Sequence, residues 1–254
     1  MTATKVNLSV ADAKILNTVF DPESAPEAAG IEIDPRLPPD THIRSLSLLT
    51  ALRAEEVSAI RRVEAYTSGS LAQKHTVYLN ALHILSGLIA DHPSYASAYN
   101  NRAQLHRWRF GDRGVLVRLP SAKTETMETQ MAIEALEQAV LDLAMAAELA
   151  KPAPSAAAVS PAQGKVLAQA WTQRAAIFWG AAKDLEAGGV LVGATNEWSA
   201  WDQTRFEEEG SRCFFLAGLF GSRVGKGMAV VANPHARLCG SIVQEALRRE
   251  RCGV

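Results

Sequence analysis

Ala98-Tyr-Asn-Asn-Arg-Ala103 returns further down the chain as Ala170-Trp-Thr-Gln-Arg-Ala175. Each copy reads alanine, aromatic, polar pair, arginine, alanine. Each stands near the start of a helical stretch that a second helical stretch follows. Self-similarity of this kind is the mark of stacked supersecondary units. It directs the reading of everything on either side.

The helices before, between and after the two copies carry a matching signature. Ala81, Leu82, Leu85, Leu88 and Pro93 place a small residue first, then bulky apolar ones, then proline. Ala139, Leu143 and Ala146 repeat the pattern, and Gly210, Phe214 and Ala217 do so a third time. Small residues let two helices approach, and bulky ones fill the space between units.

Apolar periodicity predicts helices over about 41–67, 71–90, 95–108, 124–150, 161–184, 198–220 and 234–249. His92-Pro93 closes the second, because the residue before proline is pushed out of helical geometry. Alanine, leucine, glutamate and arginine dominate these stretches, and strand-type alternation is scarce. Residues 109–123, 150–163, 182–204 and the glycine-punctuated 221–227 read as loops or turns. The fold class is therefore all-α.

Composition narrows the function. The 254 residues carry 26 Lys+Arg against 27 Asp+Glu, with 48% hydrophobic residues. A near-neutral balance argues against a nucleic-acid binder. No apolar run approaches a membrane span, and the first ten residues lack the plan of a signal peptide. A chain inside the cell, cytoplasmic or also nuclear, is expected. Cys213, Cys239 and Cys252 are widely spaced, which fits neither a disulfide framework nor a thiolate zinc site. The six histidines form no metal-binding pair, and no nucleophile-elbow motif is present. Gly221-Ser-Arg-Val-Gly-Lys-Gly227 misses the phosphate-loop spacing and reads as a flexible turn. No catalytic residue, cofactor or metal is expected.

Four segments resemble the tetratricopeptide repeat protein 36 family: Ile15-Leu-Asn-Thr-Val-Phe-Asp-Pro22, Ala96-Ser-Ala-Tyr-Asn-Asn-Arg-Ala-Gln104, Trp171-Thr-Gln-Arg-Ala175 and Asn233-Pro-His-Ala-Arg-Leu-Cys239. The resemblance implies a right-handed solenoid of three helix pairs and a protein-binding role without enzymatic activity. It also implies a link to chaperone contact or to the regulation of tyrosine catabolism. The expected layout is an N-terminal extension over 1–40 and a repeat domain over 41–254. Its repeats fall at about 43–93, 95–151 and 162–221, with a C-terminal cap at about 233–250.

First helices of such pairs line a concave groove. This places Asn100, Asn101, Gln104 and Arg107 in the second repeat, and Thr172, Gln173 and Ala176 in the third, where a protein or peptide partner would lie. Side-chain amides suit an extended backbone, since they donate and accept. Arg102 and Arg174 stand where the repeat usually has leucine. They read first as intramolecular ion pairs and second as ligand contacts. A clamp for a terminal carboxylate needs lysines and arginines, but the first repeat offers Glu55 and Ser58 and the third Gln169 and Gln173. No such clamp is expected. The cap would begin on Asn233 and Pro234. It would lay Leu238, Ile242, Cys239 and Ala246 on the Phe214–Ala217–Phe220 face, with Arg237, Gln244, Arg248 and Arg249 in water. The competing reading is a ligand-binding helical protein or enzyme with a pocket of Trp171, Trp179, Trp198 and Trp201. A structural subunit of a stable complex is a third.

Overall fold

The computed structural model describes residues 31–120, 126–152, 158–192 and 197–236, with 238, 239, 242 and 248. Among these, α1 (Leu46–Glu64), α2 (Leu71–Asp91), α3 (Ala96–Phe110), α4 (Met127–Ala150), α5 (Pro161–Glu186), α6 (Gln203–Leu219) and α7 (Arg223–Val231) follow in order. The all-α class holds. No helix among the described residues is long and apolar enough to cross a membrane. The N-terminal segment Ile15–Pro22 lies outside the described residues.

Local chemistry sets the helix starts. Ser45, Ser70, Thr126, Ser160, Asp202 and Ser222 each accept a backbone N–H from the first turn of the helix they precede. Each such cap contributes about 1 kcal/mol. Capping is why α1 starts at Leu46 rather than near 41, and α6 at Gln203 rather than near 198. Residues 197–200 instead form one 3-10 turn.

Each helix packs on the next, and α3 also touches α5, as α5 touches α7. The matched small-bulky positions lie in these contacts. Ala81, Leu85, Leu88, Ala139, Leu143, Ala146, Phe214 and Ala217 are all buried. Two apolar cores result, one over α1–α3 and one over α3–α7. The helix α3 serves both. Ala98 and Leu105 face the first core, while Ala96 and Ala103 face the second.

The long loops carry structure that their composition hides. Strand β1 (Glu32–Ile33) pairs in parallel with β3 (Ala158–Val159), and β2 (Val117–Arg118) pairs antiparallel with β4 (Val190–Leu191). Val115, Leu116 and Val117 enter the main core. The pairing ties residues 31–34, expected as part of an extension, to the third helix pair. Ile31 N–H also donates to the Leu219 carbonyl at 3.2 Å.

Two expectations at the C-terminal end need correction. The turn expected over 221–227 is largely helix α7. Gly225 allows a close crossing on α6: a Cβ there would stand 2.6 Å from the Phe214 carbonyl oxygen and 2.7 Å from Gly218 N. Close approach outweighs the entropic cost of glycine in a helix. Secondly, α7 covers α6 where the later stripe was expected, and Ser211 Oγ donates to the Ala229 carbonyl at 2.7 Å. Leu238 and Ile242 remain 60% and 59% exposed. Asn233 does cap: its Oδ1 accepts from the His235 and Ala236 N–H groups at 2.9 and 3.3 Å. The side chains of Arg237, Gln244, Ala246 and Arg249 lie outside the described residues.

Gly225→Ala is expected to cost about 1–3 kcal/mol through overpacking. Gly227→Ala meets nothing within 4 Å and is expected to gain about 0.5–1 kcal/mol as an ordinary helix-interior change. Thermal melts of the two variants should move in opposite directions.

A second expectation concerns pH. His106 is buried between α2 and α4, with Nδ1 3.0 Å from the Tyr78 hydroxyl. Burial lowers its pKa to about 4, from 6.5. The unfolded chain therefore takes up a proton first, so this contribution to stability is complete above pH 6.5 and lost as pH falls from 6.5 to 4. The loss should reach roughly 3 kcal/mol. His106→Gln should flatten that slope in urea titrations across this window.

Candidate functional site

The motif arginines show what the repeated hexapeptide does. Arg102 on α3 donates from Nε and Nη2 to both oxygens of Asp142 on α4, at 2.7 and 2.8 Å. Its guanidinium lies over the Tyr99 ring, 5.8 Å from the centroid. Arg174 on α5 repeats the arrangement more loosely. It stands 3.9 Å from Glu209 on α6 and 5.8 Å from the Trp171 centroid. Burial alone would raise the Glu209 carboxyl, but hydrogen bonding from Arg212 and the charges of Arg212 and Arg174 hold it below its usual range. Both arginines are thus engaged in intramolecular pairs between successive helices.

A polar ladder joins α3 to α5. Gln173 Nε2 donates to Asn100 Oδ1 at 2.9 Å, and Asn100 Nδ2 donates to Gln169 Oε1 at 3.2 Å. Arg107 donates to Gln173 Oε1 at 3.0 Å and forks onto Asp112 at 2.7 Å twice. Asn100 and Gln173 are buried, with 1% and 8% of their surface exposed. This corrects their placement on an open surface. Buried amides are stable only when bonded, and these two satisfy each other rather than a partner. Thr172 likewise turns inward, within 2.9 Å of the Ser222 hydroxyl that caps α7. Ala176 is half-buried.

Asn101 and Gln104 point the other way. They line two adjoining hollows of about 330 and 500 Å³, which also share Ile60 and Glu64. The first is walled by Ala59, Val63, Leu85, Leu105 and Trp108. The second continues past Arg53 and Val57 on α1 to Lys165, Val166 and Gln169 on α5. Together they form one groove crossing α1, α3 and α5. The first hollow is walled mainly by apolar side chains; the second mixes amides and hydroxyls with charge, Arg53 and Lys165 set against Asp40, Glu56 and Glu64.

Glu56 organises the floor. It is 5% exposed and accepts from the Tyr95 hydroxyl at 2.9 Å and from Asn101 Nδ2 at 2.6 Å. Burial, together with the Glu56 charge, raises the Tyr95 pKa, so the phenol stays a donor. Glu56 and Tyr95 are absent from the residues singled out in the sequence. A signal for Glu56 exists there: it interrupts the buried stripe Leu49, Leu52, Glu56, Ala59 on α1, where a carboxylate stands only with partners.

The tryptophans are packed as core. Phe178 meets Trp198, Trp201 and Phe206 at 6.3, 5.4 and 6.0 Å between centroids. Trp171 and Trp179 pack against the same core. None of the four lines the groove.

Over 255 aligned residues the chain is 34% identical to the L-tyrosine degradation gene cluster protein hmgX of Aspergillus fumigatus, covering 98% of this chain and 95% of that protein. No protein-family model and no solved structure matches the chain.

Glu56→Ala should leave the Tyr95 hydroxyl and the Asn101 amide without their acceptor, at a cost of about 1–3 kcal/mol. Glu56→Gln keeps one carbonyl acceptor and should recover part of that loss. Urea denaturation of the two variants checks the order.

Proposed function

The chain belongs to the family of the L-tyrosine degradation gene cluster protein hmgX, and we propose that it serves tyrosine degradation as a non-enzymatic adaptor of tetratricopeptide-repeat type. The groove over α1, α3 and α5 would hold a segment of a protein partner. The observation that carries this reading is the open groove at Asn101 and Gln104, lined chiefly by α1, α3 and α5.

The repeat reading rests on the hexapeptide and on what it does twice: stack an arginine on its own aromatic and pair it with the following helix. Helices that contact their neighbours in order, with α3 on α5, fit a three-pair right-handed stack. Mixed charge along the groove fits an extended or helical segment rather than a lone terminal carboxylate. A partner would bury the apolar walls and bond to the amides.

The test joins growth to binding. Val57→Arg with Gln104→Arg changes exposed groove positions, where substitutions stay within about 0.5 kcal/mol. In a strain lacking its own copy, wild-type protein should restore growth on L-tyrosine as sole carbon source, and the double variant should not. In vivo cross-linking from position 104 should join the wild-type chain to an enzyme of tyrosine degradation. Full complementation by the double variant would overturn the groove assignment. Turnover of tyrosine or a tyrosine-derived compound by the purified chain alone would overturn the adaptor reading in favour of an enzyme.

A further inference from the structure

The charges that a bound segment could touch are sorted along the groove. Arg53, Val57, Ile60 and Glu64 recur every three or four residues and so share one face of α1. Lys165 and Gln169 share one face of α5 in the same way, and Gln169 meets Asn100 on α3. Arg53 and Lys165 therefore stand on opposite walls of the larger hollow, with Tyr95 and Ser97 between them. Burial does most to raise the Tyr95 phenol, and the Arg53 charge opposes it, which sets the guanidinium within electrostatic reach of that floor.

Both cations are exposed and have no ion pair among the described residues. The two carboxylates at this end are withdrawn from contact. Glu56 is buried under Tyr95 and Asn101, and Asp40 Oδ1 accepts the His42 and Ile43 N–H groups at 2.8 Å each. What a bound segment meets here is positive. Three turns further along α1 the exposed charge is Glu64, which also has no ion pair among the described residues. What it meets there is negative. Between exposed groups such contacts count at short range, because salt screens the longer ones.

The smaller hollow opens beside Glu64. It passes between α1 and α3 and reaches Ala81 and Leu85 on α2, which are 0% and 2% exposed. Tyr66 and Trp108, edge to face at 5.7 Å between centroids, wall it. A hollow that reaches the helix behind is a socket for one bulky side chain, the form that binding anchors take. Gln104 borders both hollows and has no side-chain hydrogen bond among the described residues. Its amide offers a donor and an acceptor to a passing backbone. An extended segment has such groups to spare, whereas a helix spends them internally. The separation of Arg53 from Glu64 is about 16 Å at 1.5 Å per helical residue, which about five extended residues span.

We propose that the groove takes an extended protein segment of defined chemistry: an acidic side chain held between Arg53 and Lys165, a bulky apolar side chain about five residues away in the socket at Trp108, and a basic residue next to it at Glu64. The proposal rests on the groove reading and adds to it the sequence that the groove selects.

The test pans a random dodecapeptide display library on the full chain and keeps only peptides that the Val57→Arg, Gln104→Arg variant no longer binds. The enriched sequences should carry Asp or Glu about four to six positions from Phe, Trp, Leu or Met, with Lys or Arg beside the latter. Reselection on Arg53→Glu with Lys165→Glu should exchange the acidic position for Lys or Arg. Reselection on Glu64→Lys should exchange the basic position for Asp or Glu. All three positions are exposed, so these variants should melt at the wild-type temperature. With a labelled synthetic peptide of the consensus, fluorescence anisotropy should show each charge reversal, and alanine at the apolar position, weakening binding at least about tenfold. Groove-dependent peptides without this pattern, with a helical spacing of about ten residues, or with the same charges after reselection would overturn the proposal and leave the groove reading standing. A dimer of the chain that the peptide dissociates, seen by light scattering, would assign the face to a second copy and overturn it too. If no groove-dependent peptide is enriched, the groove reading itself fails and the proposal with it.

Discussion

Close packing of α3 and α5 against their neighbouring helices is the constraint on which the rest depends. Each bears a hexapeptide whose terminal alanines are fully buried: Ala98 and Ala103 in one, Ala170 and Ala175 in the other. A side chain larger than methyl would hold the neighbouring helix off. The arginine between them then reaches across to a carboxylate on the next helix. For Arg102 and Asp142 that reach is bidentate, and Asp142 is 1% exposed. Removing one partner of such a pair leaves an unpaired buried charge and costs about 3–5 kcal/mol. Alanine contact thus sets the distance, and the ion pair sets the register.

The helix α3 shows what this achieves. It has cores on two sides, so its apolar residues form no single stripe, and its polar residues must find partners inside the protein. Asn100 does so on Gln173 and Gln169, and Arg107 on Asp112 and Gln173. Those bonds hold α5 beside α3 at a fixed spacing. The groove exists because of that spacing: Asn101 and Gln104 stand on the remaining face of α3, opposite α1 on one side and α5 on the other. A surface made this way is held in shape by the protein's own bonds, and on the adaptor reading proposed above that would lower the ordering cost of binding.

Much of this was legible in the sequence, for physical reasons. Long helices announce themselves through period and through proline, and the matched small residues marked the contacts correctly because only small residues fit there. What escaped were cases where one local rule was outweighed. In α7 two glycines read as a turn, yet Gly225 is demanded by a backbone crossing on α6. Asn100 and Gln173 read as open polar surface because their residue types favour it. Which amide meets water and which meets another amide depends on the rotation of α3 about its axis, and adjacent residues 100 and 101 fall on opposite sides of that decision. Glu56 escaped for the converse reason, as a charge usually marks solvent. The paired strands of the long loops are two residues each, too short for any alternation to register.

The two arginine pairs also differ in a way that separates the ends of the molecule. Arg102 is saturated by Asp142 and Ser86. Arg174 is not: Glu209 lies 3.9 Å away, Arg212 takes the same carboxylate at 2.5 and 2.9 Å, and Arg174 Nε has no partner. A shared carboxylate constrains α5 against α6 less tightly than a dedicated one. The second junction is compensated by apolar packing, with Phe178, Trp201 and Phe206 in edge and tilted contact and Gly225 admitting α7 close to α6. Directional bonds therefore fix the half that carries the groove, where Asn100, Gln173 and Arg107 set the spacing of α3 and α5. Contact area fixes the half formed by α5, α6 and α7, where burial alone is required.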